Sequence, residues 1–194
     1  KAAKPPASRY SGNPGKSLQS LDDEFLKTIG SSIRKIWEFA SQLRESRFEN
    51  GALNLDSGDI KILVDDQGEP EEILHSENDE SHQLVEELML LANERVAVEL
   101  RKQKLPGVFR VHPDPDPENL EELRAFLQIF GISCGELTGR KEVTKMLNAM
   151  NKHPLAQVLR IKFLRSLKQA CYRSTPDGHY GLAKNDYLHF TSPI

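Results

Sequence analysis

Apolar residues recur at alternating three- and four-residue steps in five stretches of this sequence. That spacing lines them up on one face of an α-helix, so the chain is committed to burying several helix faces. The first stretch carries Leu21, Phe25, Ile29, Ile33, Ile36, Trp37, Ala40 and Leu43. Asp22, Asp23 and Glu24 suit the positive end of its dipole and Arg44 and Arg47 the other, before Asn50-Gly51 stops it. A second helix is expected from Ser81 to about Lys104, with Leu84, Val85, Leu88, Leu91, Ala92 and Val96 inward, ended by Pro106-Gly107. Asp116 and Pro117 open a third, whose Leu120, Leu123, Leu127 and Phe130 face inward until Gly131. Val143, Met146, Leu147 and Met150 mark a fourth, broken at 151–154, and Leu155, Leu159, Phe163 and Leu167 a fifth, about Leu155 to Ala170. Short strands are expected at Ala52 to Leu55, at Ile60 to Val64 with a return at Glu72 to Leu74 around Asp66-Gln67-Gly68, and at Val108 to Val111. The fold class is therefore α+β, mainly helical with short antiparallel strands.

A chain of 194 residues can close such a core without a disulfide or metal staple. No apolar run reaches the roughly 20 residues that span a bilayer, and no signal segment opens the sequence. Cys134 and Cys171 then read as reduced thiols of a cytoplasmic protein. The net charge of -3 is a cancellation. Residues 1–20, rich in Pro, Gly, Ser and Lys, carry four bases and no acid and read as a flexible segment ahead of a domain over 21–194. Residues 21–87 hold 18 acids against 6 bases, whereas 10 bases meet 3 acids from Arg140 onward. A basic end of this kind suits a polyanion partner; solvated helix faces are the plainer alternative.

Generic catalytic signatures are missing: there is no phosphate-binding glycine loop, no nucleophile elbow and no paired Cys-x-x-Cys for zinc. Asp65-Asp66 and Glu71-Glu72 flank a hairpin turn and read as solvated. Glu86-Glu87 differ, because Leu84-Val85 and Leu88 surround them, so one of the two must approach the apolar face and need a partner there. Residues 178–194, GHYGLAKNDYLHFTSPI, crowd His179, Tyr180, Tyr187, His189 and Phe190 directly after a basic helix. Aromatics beside Arg and Lys fit stacking on nucleotide bases, or a packed aromatic strand.

Residues 164–194, LRSLKQACYRSTPDGHYGLAKNDYLHFTSPI, resemble the catalytic RNB domain of the ribonuclease II and ribonuclease R family, the ribonuclease R branch more closely. NDESHQLVEELMLLANERVA at 78–97 is similar to that family's Glu-Glu and Ala-Asn helix, and FRVHPDPDPENLEELRAFLQIFG at 109–131 to its Arg-Val-His and proline-rich link. The helix ending in Arg47-Phe48 and Gly51 fits more weakly. The resemblance implies processive 3′-to-5′ hydrolysis of single-stranded RNA to nucleoside 5′-monophosphates with Mg2+, by a monomer. It implies that Glu86 contacts the ribose at the 3′ end and that His179, Tyr180, Gly181, Thr191, Ser192 and Pro193 line the RNA channel. Arg160, Lys162, Arg165 and Lys168 of the fifth helix are the expected backbone electrostatics.

Departures from the family pattern matter as much. Its metal-binding aspartates have no counterpart here, Asp65-Asp66 being misplaced; its Arg-Arg-Tyr would follow Ile194; Leu55 stands at an aromatic clamp position, and Tyr10 matches no active-site tyrosine. The expectation is an internal piece of a catalytic domain that continues beyond both ends, binds no metal and is inactive alone. A non-catalytic single-stranded RNA-binding module is the alternative, and a helical protein-interaction domain a more distant one.

Overall fold

The computed structural model describes residues 22–54, 59–65, 67–76 and 79–191. The chain divides into two units, Lys1–Glu38 and Phe39–Ile194, with helix α1 (Asp23–Glu49) passing from one to the other. In the first unit the expected inward face does not materialise. Phe25, Ile29, Ile33 and Ile36 remain exposed, because among the described residues of that unit nothing covers them. The tail of α1, in the second unit, does bury Ala40 and Arg47.

Gly51 terminates α1 with φ of +88°, a left-handed conformation that glycine adopts without strain. The strand expected from Ala52 is absent over 52–54. Ala52 and Leu53 are buried instead, and the Leu53 N–H donates to the Gly181 carbonyl rather than to a strand partner. Leu55 and Asp66 lie outside the described residues. Strands β1 (Asp59–Val64) and β2 (Pro70–Ser76) form an antiparallel hairpin. Its turn is tied by Asp65 Oδ1, which accepts from the N–H groups of Gln67 and Glu69, an Asx-type closure.

Helix α2 (Glu80–Lys102) is capped by Asp79, not Ser81: its carboxylate accepts from the N–H groups of Ser81 and His82. The fully buried line of α2 runs Glu87, Leu90, Asn93, Ala97, while Val85 is exposed. The apolar pattern misplaced this line because two of its four members are polar and are buried only by virtue of partners on other elements.

The main core is made by α3 (Pro117–Ile129), α4 (Arg140–Asn151) and α5 (Ala156–Ser166). Leu120, Leu123 and Leu127, then Val143, Met146, Leu147 and Met150, then Leu159 and Phe163 fill it, as their spacing predicts. Helix α5 stops earlier than expected, at Ser166, with Leu155 exposed at its start and Leu167 extended at its end. Asp116 holds the N-cap position of α3 without a capping bond, its carboxylate being taken by Lys168 at 2.6 Å. Beside this core β3 (Phe109–Val111) pairs antiparallel with β4 (Cys171–Arg173). Phe109, Val111 and Leu188 pack with Ala97 of α2 as a second cluster. Cys134 and Cys171 are free thiols, and no helix among the described residues is long and apolar enough to cross a membrane.

Candidate nucleic-acid interface

After β4 the chain returns along β3 and is stitched to it by main-chain bonds. His112 N–H donates to the Gly178 carbonyl (3.1 Å), Tyr180 N–H to the His112 carbonyl (2.8 Å), and Arg110 N–H to the Tyr187 carbonyl (2.9 Å). Between these anchors a 3-10 turn, Tyr180–Leu182, doubles back. The Gly181 N–H donates to His112 Nδ1, and a Cβ at Gly181 would stand 3.0 Å from that nitrogen. Glycine is needed there for close approach. Tyr180 projects into the helical core, with the Arg140 guanidinium 4.6 Å over its ring and Arg140 Nη1 donating to the carbonyls of Gly51 and Tyr180. One arginine thus binds the end of α1 to the return segment.

Asn93 secures the far end of this segment. Its side chain is only 1 % exposed. Oδ1 accepts from the N–H groups of Phe190 (3.0 Å) and Thr191 (2.8 Å) and from the Thr191 hydroxyl (3.0 Å), while Nδ2 donates to the Tyr187 hydroxyl at 3.1 Å. Every polar atom of this buried amide acts on the return segment, whose position is thereby set by α2.

The two adjacent glutamates of α2 divide their roles. Glu87 is 3 % exposed and meets Arg47 of α1 through Nε, at 3.1 and 3.2 Å, and through Nη2. Glu86 has a side chain 30 % exposed, held from behind by Arg44 Nη1 at 3.4 Å and Arg47 Nη2 at 3.5 Å. The partner that burial demanded of one glutamate is Arg47, and the glutamate is Glu87.

Glu86 opens onto a cleft of about 320 Å³, lined also by Met89, Leu90, Asn93, Arg110, His179, Leu182, Tyr187 and His189. One wall is a row of rings in edge-to-face contact. His112 meets His179 (5.2 Å between centroids), His179 meets Tyr187 (5.4 Å), Tyr187 meets His189 (5.6 Å) and His189 meets Tyr172 (5.7 Å), whose hydroxyl lies 2.8 Å from His189 Nδ1. Burial, seconded by the charges of His112 and Arg110, pushes His179 down to about 4. Burial likewise lowers His112 and His189, Arg110 adding to both shifts. The wall is therefore neutral at pH 7. Burial also raises Tyr187 and keeps its hydroxyl protonated.

His179 and Glu86 thus line one cleft, and Tyr180 and Gly181 anchor its wall from behind. Thr191 is bound to Asn93; Ser192 and Pro193 lie outside the described residues. Phe190 is 65 % exposed, so the aromatic cluster is neither wholly a packed strand nor wholly a stacking surface. The basic residues expected on the fifth helix do not line the cleft. Arg160 donates to Asn151, Lys162 sits 5.6 Å over the Phe126 ring and Lys168 pairs with Asp116, leaving Arg165 exposed. Sequence reasoning assigned no role to Asn93 or Arg110, although both fall in the quoted motifs. A polar residue at a buried helical phase was the usable signal for Asn93.

The cleft offers a metal ion one carboxylate, Glu86, and two imidazoles whose Nδ1 atoms already meet Leu182 N–H and the Tyr172 hydroxyl. Among the described residues no group of three or more His, Cys, Asp or Glu could hold an ion. A hard cation such as Mg2+ wants several oxygens, so these residues do not fit it.

The RNB domain family profile matches residues 6–194. Ribonuclease R of Thermotoga maritima is 36 % identical over 160 residues, and that of Escherichia coli K12 is 34 % identical over 178, covering 81 % and 91 % of this chain. The chain spans only 22 % of the length of either relative. Among solved structures, Mycoplasma genitalium RNase R in complex with double-stranded RNA superposes with a TM-score of 0.80 at 28 % identity, covering 92 % of this chain and 32 % of that one. The match takes in the Glu86 helix, the β3 link and the return segment that together build the cleft: the chain belongs to the RNB domain family, the family of ribonuclease R.

Proposed function

We propose that this chain is the RNA-holding part of a processive 3′-to-5′ exoribonuclease that degrades single-stranded RNA to nucleoside 5′-monophosphates, a cytoplasmic and monomeric enzyme. The observation that carries this reading is Glu86, a carboxylate held by two arginines at the mouth of a cleft walled by neutral rings. A carboxylate accepts from a ribose 2′-hydroxyl and finds no such donor on deoxyribose, so Glu86 reads the sugar. His179 and Tyr187 form the wall, and Asn93 holds the Tyr187–Thr191 segment against α2. Mg2+ would supply the hydrolytic chemistry of the whole enzyme, and the described residues of the cleft do not fit it. Alone, the chain binds RNA without cutting it.

The test is anisotropy of a fluorescent oligo(A) 12-mer at low salt, with and without Mg2+, against an oligomer carrying deoxyribose at its 3′ end. Expected are salt-sensitive binding, no shortening of the RNA, and weaker binding of the deoxy end that Glu86→Gln abolishes. No binding of RNA, or equal deoxyribose discrimination in wild type and Glu86→Gln, would overturn the assignment.

A further inference from the structure

Among the described residues Arg110 is the one cation lining the Glu86 cleft. Its backbone is fixed twice, by pairing with Tyr172 across β3 and β4 and by the N–H bond to the Tyr187 carbonyl. Its guanidinium lies 4.8 Å over the Tyr172 ring. Tyr172 is in turn steadied by its hydroxyl contact with His189. Arg44 and Arg47 face carboxylates and Arg140 faces two carbonyls. Among the described residues no carboxylate lies within ion-pairing distance of Arg110, and no acceptor takes a hydrogen bond from its guanidinium.

An arginine that is stacked, half-buried and without an anion has its rotamer fixed but its charge uncompensated. The nearby rings do not compensate it: His112, His179 and His189 are neutral, and all three feel the Arg110 charge as a further obstacle to protonation. What the site lacks is an anion with no proton to lose near pH 7 and with oxygens spaced for a fork of N–H donors. A phosphodiester has both properties. The cleft's volume of about 320 Å³ is at the lower end for small-ligand sites, room for about one nucleotide.

We infer that Arg110 is a phosphate-binding residue: its guanidinium, braced on Tyr172, takes the phosphodiester adjoining the nucleotide whose ribose meets Glu86. This rests on the RNA-holding reading above and adds to it a fixed register, the sugar read by one residue and the neighbouring phosphate by another in the same cleft.

The test replaces one phosphate at a time by an uncharged methylphosphonate along a fluorescent oligo(A) 12-mer and measures anisotropy in EDTA, using the whole chain. For the wild type, one linkage near the 3′ end is expected to be sensitive, losing affinity about tenfold. Arg110→Gln should bind all the oligomers about as weakly as the wild type binds the sensitive one. It should be indifferent to that linkage, with a salt slope smaller by about 0.7. Glu86→Gln should keep the sensitive linkage while losing deoxyribose discrimination. A flat wild-type profile overturns the inference without any variant, and so does Arg110→Gln retaining the wild-type pattern. If the wild type binds no RNA, the RNA-holding reading itself falls; if it binds and discriminates ribose but shows no sensitive linkage, only the role of Arg110 falls.

Discussion

His179 allows a titration of the cleft wall. Its ring is pressed against His112 and Tyr187, its Nδ1 accepts from the Leu182 N–H, and its pKa falls from 6.5 to about 4, chiefly through burial. Because the folded pKa is depressed, the unfolded chain takes up the proton first. Stability is unaffected above about pH 7.5 and is lost as pH falls through 6.5 toward 4. The full shift corresponds to about 3 kcal/mol, of which about 2 kcal/mol is lost by pH 5. His112 and His189 move in the same direction and add to the slope. The comparison variant is His179→Asn, whose amide oxygen can accept from Leu182 N–H in place of Nδ1 while carrying no titrating group. Urea unfolding at pH 7.5, 6 and 5 should show the variant less stable at pH 7.5, from the lost ring contacts, yet losing about 2 kcal/mol less than the wild type on going to pH 5. Parallel losses in the two proteins would refute the burial argument for His179.

Two further substitutions probe the joints of the return segment. Asn93→Leu strands two N–H groups and a hydroxyl that now share Oδ1, and should cost about 3 kcal/mol or more. Asn93→Asp keeps that acceptor, its second oxygen accepting from the Tyr187 hydroxyl, and should leave the Phe190 and Thr191 N–H groups better protected than Asn93→Leu does; hydrogen exchange at these two amides reads the difference directly. Gly51→Ala adds a Cβ 2.9 Å from Arg140 Cβ and Cδ at a φ of +88°. It should lower the thermal midpoint through a loss of about 2 kcal/mol.

The three-helix core was legible because α3, α4 and α5 obey one rule: their apolar residues sit at helical spacing and are the residues that become buried. Helix α2 broke that rule at Glu87 and Asn93, which no hydropathy pattern can rank as core, since their burial is made possible by Arg47 and Tyr187, distant in sequence. The first half of α1 failed in the opposite sense: the stripe Phe25, Ile29, Ile33, Ile36 has the right period yet is exposed, because periodicity states which face can be buried and not what buries it. The aromatic residues of the return segment were visible as a cluster, but their division into Tyr180 and Tyr187 inside and Phe190 outside follows from non-local bonds to His112, Arg110 and Asn93. Resemblance singled out Glu86 on the glutamate helix; geometry separated the two glutamates physically, showing that the buried, arginine-paired one is Glu87.

That separation is itself testable, because successive residues on a helix point about 100° apart. Glu87 points at Arg47 and is buried with it, whereas Glu86 is held at the rim by the same arginine and by Arg44. Glu87→Leu leaves a buried guanidinium over the Phe48 ring whose remaining carboxylate contact is the 3.5 Å approach to Glu86, and should cost about 3–5 kcal/mol in urea unfolding. Arg47→Met combined with Glu87→Leu removes both charges from the buried site and should recover most of that loss, since an apolar pair of similar volume needs no desolvation of ions. Glu86→Leu, at a partly exposed rim position, should change stability by less than about 1 kcal/mol but lose the preference for a ribose end in the oligo(A) assay. If Glu86→Leu proved as destabilising as Glu87→Leu, the two carboxylates would form one structural network with the arginines. The sugar-reading role would then have to pass to another residue of the cleft.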